Sequence, residues 1–172
     1  MRPTAQVLRP AARVLLALAV VFLGWAGWSL WQAYRSPLGD LGKDRDTVLR
    51  VGSAQVAALN SMDWTRPDDG LKRWQDASTG PLRDQLQREA AADRQKIVQG
   101  RTAAAASVDA AAVTSLDDRS GVARLVAAVR ITLTPSGGGA PTVQRKRYEA
   151  GLARTPAGWR LQSLTVIPVS AR

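Results

Sequence analysis

An uncharged apolar run near the N-terminus constrains this chain more than any other feature. No acidic or basic side chain occurs at residues 14–34, VLLALAVVFLGWAGWSLWQAY, and Arg13 and Arg35 border the run. As an α-helix with a rise of 1.5 Å per residue, this run spans roughly 30 Å, about the thickness of a membrane's hydrocarbon core. We therefore predict a transmembrane helix at residues 14–34, preceded by a basic tail at residues 1–13.

Aromatic residues are concentrated in the second half of this run. They recur every three residues, so they advance by about 300° per step and form a drifting stripe on one helix face. Amphipathic rings concentrate at membrane–water interfaces, where the ring is buried and its polar group stays hydrated. We expect four residues at the outer interface: Trp25, Trp28, Trp31 and Tyr34.

The charges on either side of the run predict its orientation. Arg2, Arg9 and Arg13 precede it, and residues 1–35 contain no acid, whereas basic and acidic residues mix after it. A basic flank stays in the cytoplasm, so we predict a single-pass protein of the cell membrane with an extracytoplasmic C-terminal domain. Two alternatives remain: a signal peptide cleaved after the sequence Gly-Trp-Ala at 24–26, or a buried helix of a soluble protein.

The segment after the run is predicted to be a linker at residues 35–45 and a folded domain at residues 46–172. Asp46 or Thr47 begins a first helix there, with apolar positions that include Val48, Val51, Leu59 and Met62, and small residues at Ala54, Ala57 and Ala58. Pro67 disfavours helix at the residue before it, so this helix ends near the sequence SMDWTRP.

Two further helices follow in the sequence. PDDGLKRWQDAST suggests a short helix that buries Leu71 and Trp74. A long helix begins at Ser78 or Thr79 and ends at Gly100, since proline at 81 suits a first turn and glycine a helix end. One stripe of the long helix is apolar apart from a rim acid: Leu82, Leu86, Ala90, Asp93 and Ile97.

The pattern changes from helical to alternating after Gly100. VARLVAAVRITLT alternates, with one face at Leu125, Ala127, Val129, Ile131 and Leu133. TVQRKRYEAGLART and WRLQSLTVIPV are two more strands, and TAAAASVDAAAVTSL is interpreted as a strand despite its alanine content. Glycine-rich turns between them favour an antiparallel meander. The predicted fold class is α+β, with helices packed on a four-stranded antiparallel sheet.

This order of elements resembles the Mce-associated membrane proteins of actinobacteria. The residues that carry the resemblance are the single N-terminal span, the Asp63–Trp64 step, the Thr79–Gly80 helix start, and Trp159 with the Val-Ile-Pro sequence at 166–168. The resemblance implies an NTF2-like, cone-shaped outer domain and a role as an accessory subunit of Mce transporters, which carry lipids or sterols. Leu82 and Leu86 stand where relatives often have aromatic residues. VirB8-like and TcpC-like subunits of conjugation (secretion) complexes share this layout and are the alternative.

Catalysis is not predicted. The chain has no cysteine and no histidine, which removes the usual nucleophile, base and metal ligands. A ketosteroid-isomerase-like site needs an acid or histidine and a hydrogen-bond donor inside the cone. Only a pair of Asp93 and Tyr148 is conceivable, and we expect Tyr148 on the surface. The acidic pairs at 68–69 and 117–118 are interpreted as turns, and we predict no metal and no cofactor.

The most functional-looking surface feature is the basic sequence QRKR at residues 144–147. Arg145, Lys146 and Arg147 are interpreted either as a solvated or charged edge or as a docking surface for an acidic partner or anionic headgroups. The net charge is +10, but the charges are scattered beside acids, which is not typical of nucleic-acid binders. The predicted partners are transporter subunits and membrane lipid around the N-terminal helix, with oligomerisation left open.

Overall fold

The computed structural model of the chain describes residues 37–168. The chain divides into two compact units, residues 1–43 and 44–172, and all the described strands belong to the second. The transmembrane helix predicted at residues 14–34, its basic tail, its aromatic stripe and its orienting arginines lie outside the described residues. Among residues 37–168, no helix combines the length and apolar character needed to cross a membrane.

Among residues 37–168, three helices precede the sheet: α1 at Pro37–Leu59, α2 at Pro67–Ala77 and α3 at Gly80–Gly100. Helix α1 begins well before the predicted start at Asp46 or Thr47, so most of the segment predicted as a linker is helical. Proline suits a helix start because the first N–H groups have no intrahelical partner, and no second proline interrupts the helix. Helix α1 ends at Leu59, near the predicted end, but Met62, predicted on this helix, lies beyond it and forms a bridge with Ala104. The bounds of α3 confirm the prediction.

Four strands follow: β1 at Thr102–Asp117, β2 at Val122–Pro135, β3 at Thr142–Thr155 and β4 at Gly158–Ile167. They form one antiparallel sheet in the order β1-β2-β3-β4. The alanine-rich segment is strand, as predicted, because its pairing with β2 outweighs alanine's preference for helix. The α+β prediction is confirmed.

The core lies between α1 and the helix-facing side of the sheet. Alternate residues of β2 are buried, as predicted, and they pack with residues from β3, β4 and α1. The largest fully buried hydrophobic side chains are Leu125, Val129, Leu152, Leu161, Val48 and Val56. Helix α1 approaches the sheet closely at Gly52, where a Cβ atom would lie 2.2 Å from Leu125 Cδ2. The predicted small residues at 54, 57 and 58 are less buried than this glycine.

The apolar stripe of α3 is only partly covered. The five predicted stripe positions are the half-buried residues of this helix, all its other residues are exposed, and none is buried. Helix α3 is joined to β1 through Arg101, which takes a left-handed conformation with φ of 40°. In α2, Leu71 is buried as predicted, and half-buried Trp74 donates its indole N–H to the carbonyls of Ala58 (3.1 Å) and Ser61 (3.2 Å).

Candidate functional site

The basic sequence on β3 is exposed and is divided between two faces of the sheet. Side chains alternate along a strand, and Tyr148 and Ala150 are buried on the helix-facing side. Arg145 and Arg147 therefore lie on the opposite side, which we call the outer face, and Lys146 lies on the helix-facing side. Of the three predicted docking residues, the structure brings the two arginines together on one face.

Ion pairs surround these arginines without including them. Arg130 pairs with Asp109 at 3.1 Å, and Arg124 pairs with Glu149 at 3.5 Å. Within residues 37–168, the side chains of the basic sequence make no ion pair and no hydrogen bond. The nearest carboxylates are already engaged, so the outer face keeps an excess of positive charge.

An apolar depression of about 270 Å³ adjoins Arg147 on the outer face. We call it the alanine groove, and its main side chains are Ala110, Ala112, Val126, Ala128, Arg147 and Ile167. A second depression of about 400 Å³ shares Ala128 and Arg147 with it and extends to Arg145 and Asp109. The groove could not be predicted from the sequence, because β1 is shifted in register between Val108 and Ala110, and alternation along one strand does not reveal such a shift.

Register explains how the groove is formed. Ala110 lies opposite Ala128, Ala128 opposite Arg147, and Arg147 opposite Ile167. In the next row Ala112 lies opposite Val126. Since paired residues of antiparallel strands lie on the same face, small side chains on β1 and β2 form a floor beside the larger ones on β3 and β4.

The candidate catalytic pair is not formed. Tyr148 is buried, with 6% of its surface exposed, which corrects the expectation that it lies on the surface. Tyr148 lies two residues from buried Ala150 on β3, so both side chains are on the core side of the sheet. The Tyr148 hydroxyl donates a hydrogen bond to Asn60 Oδ1 at 2.6 Å. Burial raises the pKa of Tyr148 above its ordinary value. Asp93 accepts instead from Lys96, at 3.3 Å.

The acidic pairs have structural roles. Asp68 and Asp69 occupy the first turn of α2, where carboxylates favour the helix N-terminus, and this corrects their interpretation as a turn. Asp117 lies where β1 ends, and hydrogen bonds from Ser120, with the Arg119 amide, hold its pKa below the ordinary value. Asp118 pairs with Arg154. Within the described part of the chain, no three acidic residues are grouped so that they could hold a metal ion.

The residues that carry the family resemblance have architectural roles. Asp63 accepts hydrogen bonds from the hydroxyl and amide of Thr65 at 2.6 Å and 3.0 Å. These bonds, with Arg66 nearby, hold the pKa of Asp63 below its ordinary value and fix the turn before α2. Trp159 is buried at the start of β4 under the Arg154 guanidinium, 5.0 Å from the ring centroid.

Comparisons with solved structures define the class of fold. The chain is similar to an IcmL-like type IV secretion system protein of Legionella pneumophila (TM-score 0.60, 11% identity, 74% of this chain and 95% of that one). It is also similar to CagV, a VirB8 homolog of Helicobacter pylori (0.57, 14%, 73% and 99%), and to VirB8 of Agrobacterium tumefaciens (0.54, 14%, 75% and 96%). The domain thus has the NTF2-like fold of VirB8 proteins, which confirms the predicted fold class.

The sequence itself belongs to a defined family. The profile described as "Uncharacterized protein Rv1363c/MT1408-like" matches residues 7–163, so the chain belongs to this family. It is 27% identical over 154 residues to "Uncharacterized protein Rv1363c" of Mycobacterium tuberculosis (strain ATCC 25618 / H37Rv). That match covers 87% of this chain and 52% of the relative, so the chain spans about half of the relative's length. The resemblance to Mce-associated proteins stays a prediction.

Proposed function

We propose that this chain is a membrane-anchored scaffold subunit of an envelope complex, acting through protein–protein contacts and catalysing no reaction. This proposal rests on Arg145 and Arg147, which lie beside the alanine groove and form no ion pair within residues 37–168. Arginine next to buried apolar surface is a composition that protein interfaces favour.

The absence of a plausible reaction centre in the described domain supports a binding role. Tyr148 is engaged by Asn60 in the core, and Asp93 by Lys96 at the surface. The chain has no histidine or cysteine that would replace them as base or nucleophile. Anchoring would add to binding, because a tethered domain has a high effective concentration near partners in the same membrane.

Two kinds of complex are candidates for the assembly. The likeness of fold to VirB8 and CagV favours a VirB8-like role in a conjugation (secretion) complex. The second candidate is an Mce-type lipid or sterol transporter, which the segments around Asp63–Trp64 and Trp159 favour through the family resemblance. In either complex the domain would lie outside the cytoplasmic membrane, and the N-terminal helix would be required to anchor it.

Affinity purification of the full chain from membranes of its host, in mild detergent, tests this proposal and separates the candidates. Quantitative mass spectrometry should find other envelope subunits in constant proportion to the chain. Secretion subunits would support the VirB8-like role, and Mce-type permease and substrate-binding subunits would support the transporter role. Recovery of the chain alone would contradict the scaffold proposal. So would turnover of a steroid or acyl substrate that Asp93→Asn removes.

A further inference from the structure

We propose that the alanine groove binds an amphipathic helix of a partner subunit, and that carboxylates on that helix pair with Arg145 and Arg147. This inference rests on the proposed function and deepens it by stating the chemistry of the partner. It joins two independent features of the outer face: an apolar floor of small residues and a pair of unengaged guanidinium groups.

The floor of the groove suits a helix. A sheet has two faces, and the core helix α1 packs on one of them, leaving Ala110, Ala112, Val126 and Ala128 on the other. Alanine side chains keep the sheet surface close to its backbone, so the axis of a helix can approach closely. A helix bound there would cover the apolar floor, because an apolar sheet face is buried by packing another element against it.

The spacing of the arginines matches a helical pair of acids. Arg145 and Arg147 are two residues apart on one face of β3, so their Cα atoms are separated by roughly 6.6 Å. Carboxylates four residues apart on a helix are separated by about 6 Å along its axis. Guanidinium groups bind carboxylates through paired hydrogen bonds, which gives this contact a preferred geometry.

The charges on the outer face disfavour two other occupants. A second copy of the chain in a symmetric dimer would bring two basic patches together, because an isologous interface uses the same patch on both subunits. An anionic membrane is attracted by larger basic clusters, whereas here two carboxylates, Asp109 and Glu149, border the groove in their ion pairs. A discrete acidic helix satisfies two arginines without opposing those acids.

Peptide binding to the full chain, held in discs of zwitterionic lipid, tests the inference. The probe is a labelled amphipathic peptide helix with two glutamates four positions apart beside its apolar face, and its control has glutamine at both positions. Fluorescence anisotropy should show saturable binding of the glutamate peptide. The control peptide should bind about tenfold or more weakly, because it loses two charge-assisted hydrogen bonds.

Variants of the chain distinguish the groove from general attraction to a basic protein. Arg145→Gln with Arg147→Gln should weaken binding by about tenfold or more. Arg145→Lys with Arg147→Lys should cause a smaller loss, because charge remains and the paired geometry is lost. Ala128→Phe should weaken binding by filling the floor without changing charge. The matched control, Arg83→Gln with Arg88→Gln, removes two exposed charges from α3 and should leave binding unchanged.

The inference would be overturned if the glutamate peptide did not bind saturably, or if both peptides bound equally well. It would also be overturned if the α3 control variant lost as much affinity as the variant at Arg145 and Arg147, or if the chain bound anionic vesicles and not the peptide. Thermal unfolding of each variant identifies any loss that comes from misfolding, and the lysine pair keeps the test interpretable. If host subunits co-purify with the chain but the peptide fails, the groove assignment is wrong and the scaffold role stands. If the peptide binds and no subunit co-purifies, the scaffold role is wrong.

Discussion

At the scale of single residues, polar side chains of α1 and of the turn that follows it connect the helix to the sheet through the core. Asn60 Oδ1 accepts a hydrogen bond from the Tyr148 hydroxyl at 2.6 Å, and Gln55 Nε2 donates one to the Trp159 carbonyl at 2.7 Å. Both contacts lie at buried or partly buried positions, where a polar group that loses its partner is costly. They fix the position of α1 against β3 and β4 in addition to apolar packing.

Tyr148→Phe tests the first of these contacts. The change keeps the ring in the core but leaves Asn60 Oδ1 without its donor, so the free energy of unfolding should fall by about 1 kcal/mol. Chemical denaturation measured by circular dichroism would show this. Repeating the change in an Asn60→Ala background should give a smaller loss, and equal losses in both backgrounds would mean that the hydrogen bond contributes nothing.

The pH dependence of stability provides a second test of Tyr148. Burial raises its pKa in the folded state above the ordinary tyrosine value of 10.0, so the unfolded state releases this proton first. The contribution of Tyr148 to stability is therefore fully present below pH 10.0 and is lost as the pH rises through the folded pKa. Denaturation at increasing pH should show that the free energy of unfolding falls more steeply in the wild-type chain than in Tyr148→Phe. Parallel curves would contradict the assignment.

At the scale of elements, α3 is packed less tightly than the sheet. None of its residues is buried, whereas alternate residues of β2, including Leu125 and Val129, are almost fully covered. Helices held by few buried contacts open at a lower free energy than core strands. Partner contacts or membrane surroundings that cover α3 would change this difference.

Hydrogen exchange tests this difference in packing directly. Amides of α3 should exchange faster than those of β2 in the isolated chain, because opening α3 exposes little apolar surface. Leu86→Ala should cost less stability than Leu152→Ala, for which we expect about 2–5 kcal/mol. Equal protection of α3 and β2 would show that the stripe at 82–97 is covered in solution.

The elements also show what the sequence reveals and what it does not. The alternation in β2 and the glycine and proline limits of α3 are local signals, and both predicted the structure. The predicted start of α1 was wrong because the proline and glycines before residue 45 are compatible with both a linker and a helix start. Tyr148 was placed wrongly because its charged neighbours suggested a surface, although strand parity with Ala150 directs it inward. The groove depends on register between strands, which no single segment contains.

At the scale of the whole molecule, the proposed membrane anchor and the sheet domain would have separate tasks. A chain of residues 44–172 should be soluble and show mixed helix and sheet by circular dichroism, since the buried core lies within those residues. A purely helical spectrum would contradict the fold.

Reporters fused after Arg172 of the full chain should be active only outside the cytoplasm, and protease access to residues 40–172 from the cytoplasmic side would contradict the orientation.

The proposed role of this protein in supporting a complex is tested most directly by the abundance of partner subunits in membranes of a host that lacks the chain. Quantitative proteomics should show those subunits reduced, then restored by the wild-type chain and by Asp93→Asn, but not by a chain without residues 1–36, since tethering confines the domain near its partners. Unchanged partner abundance in the deletion, or failure of Asp93→Asn to restore it while folded, would contradict this role.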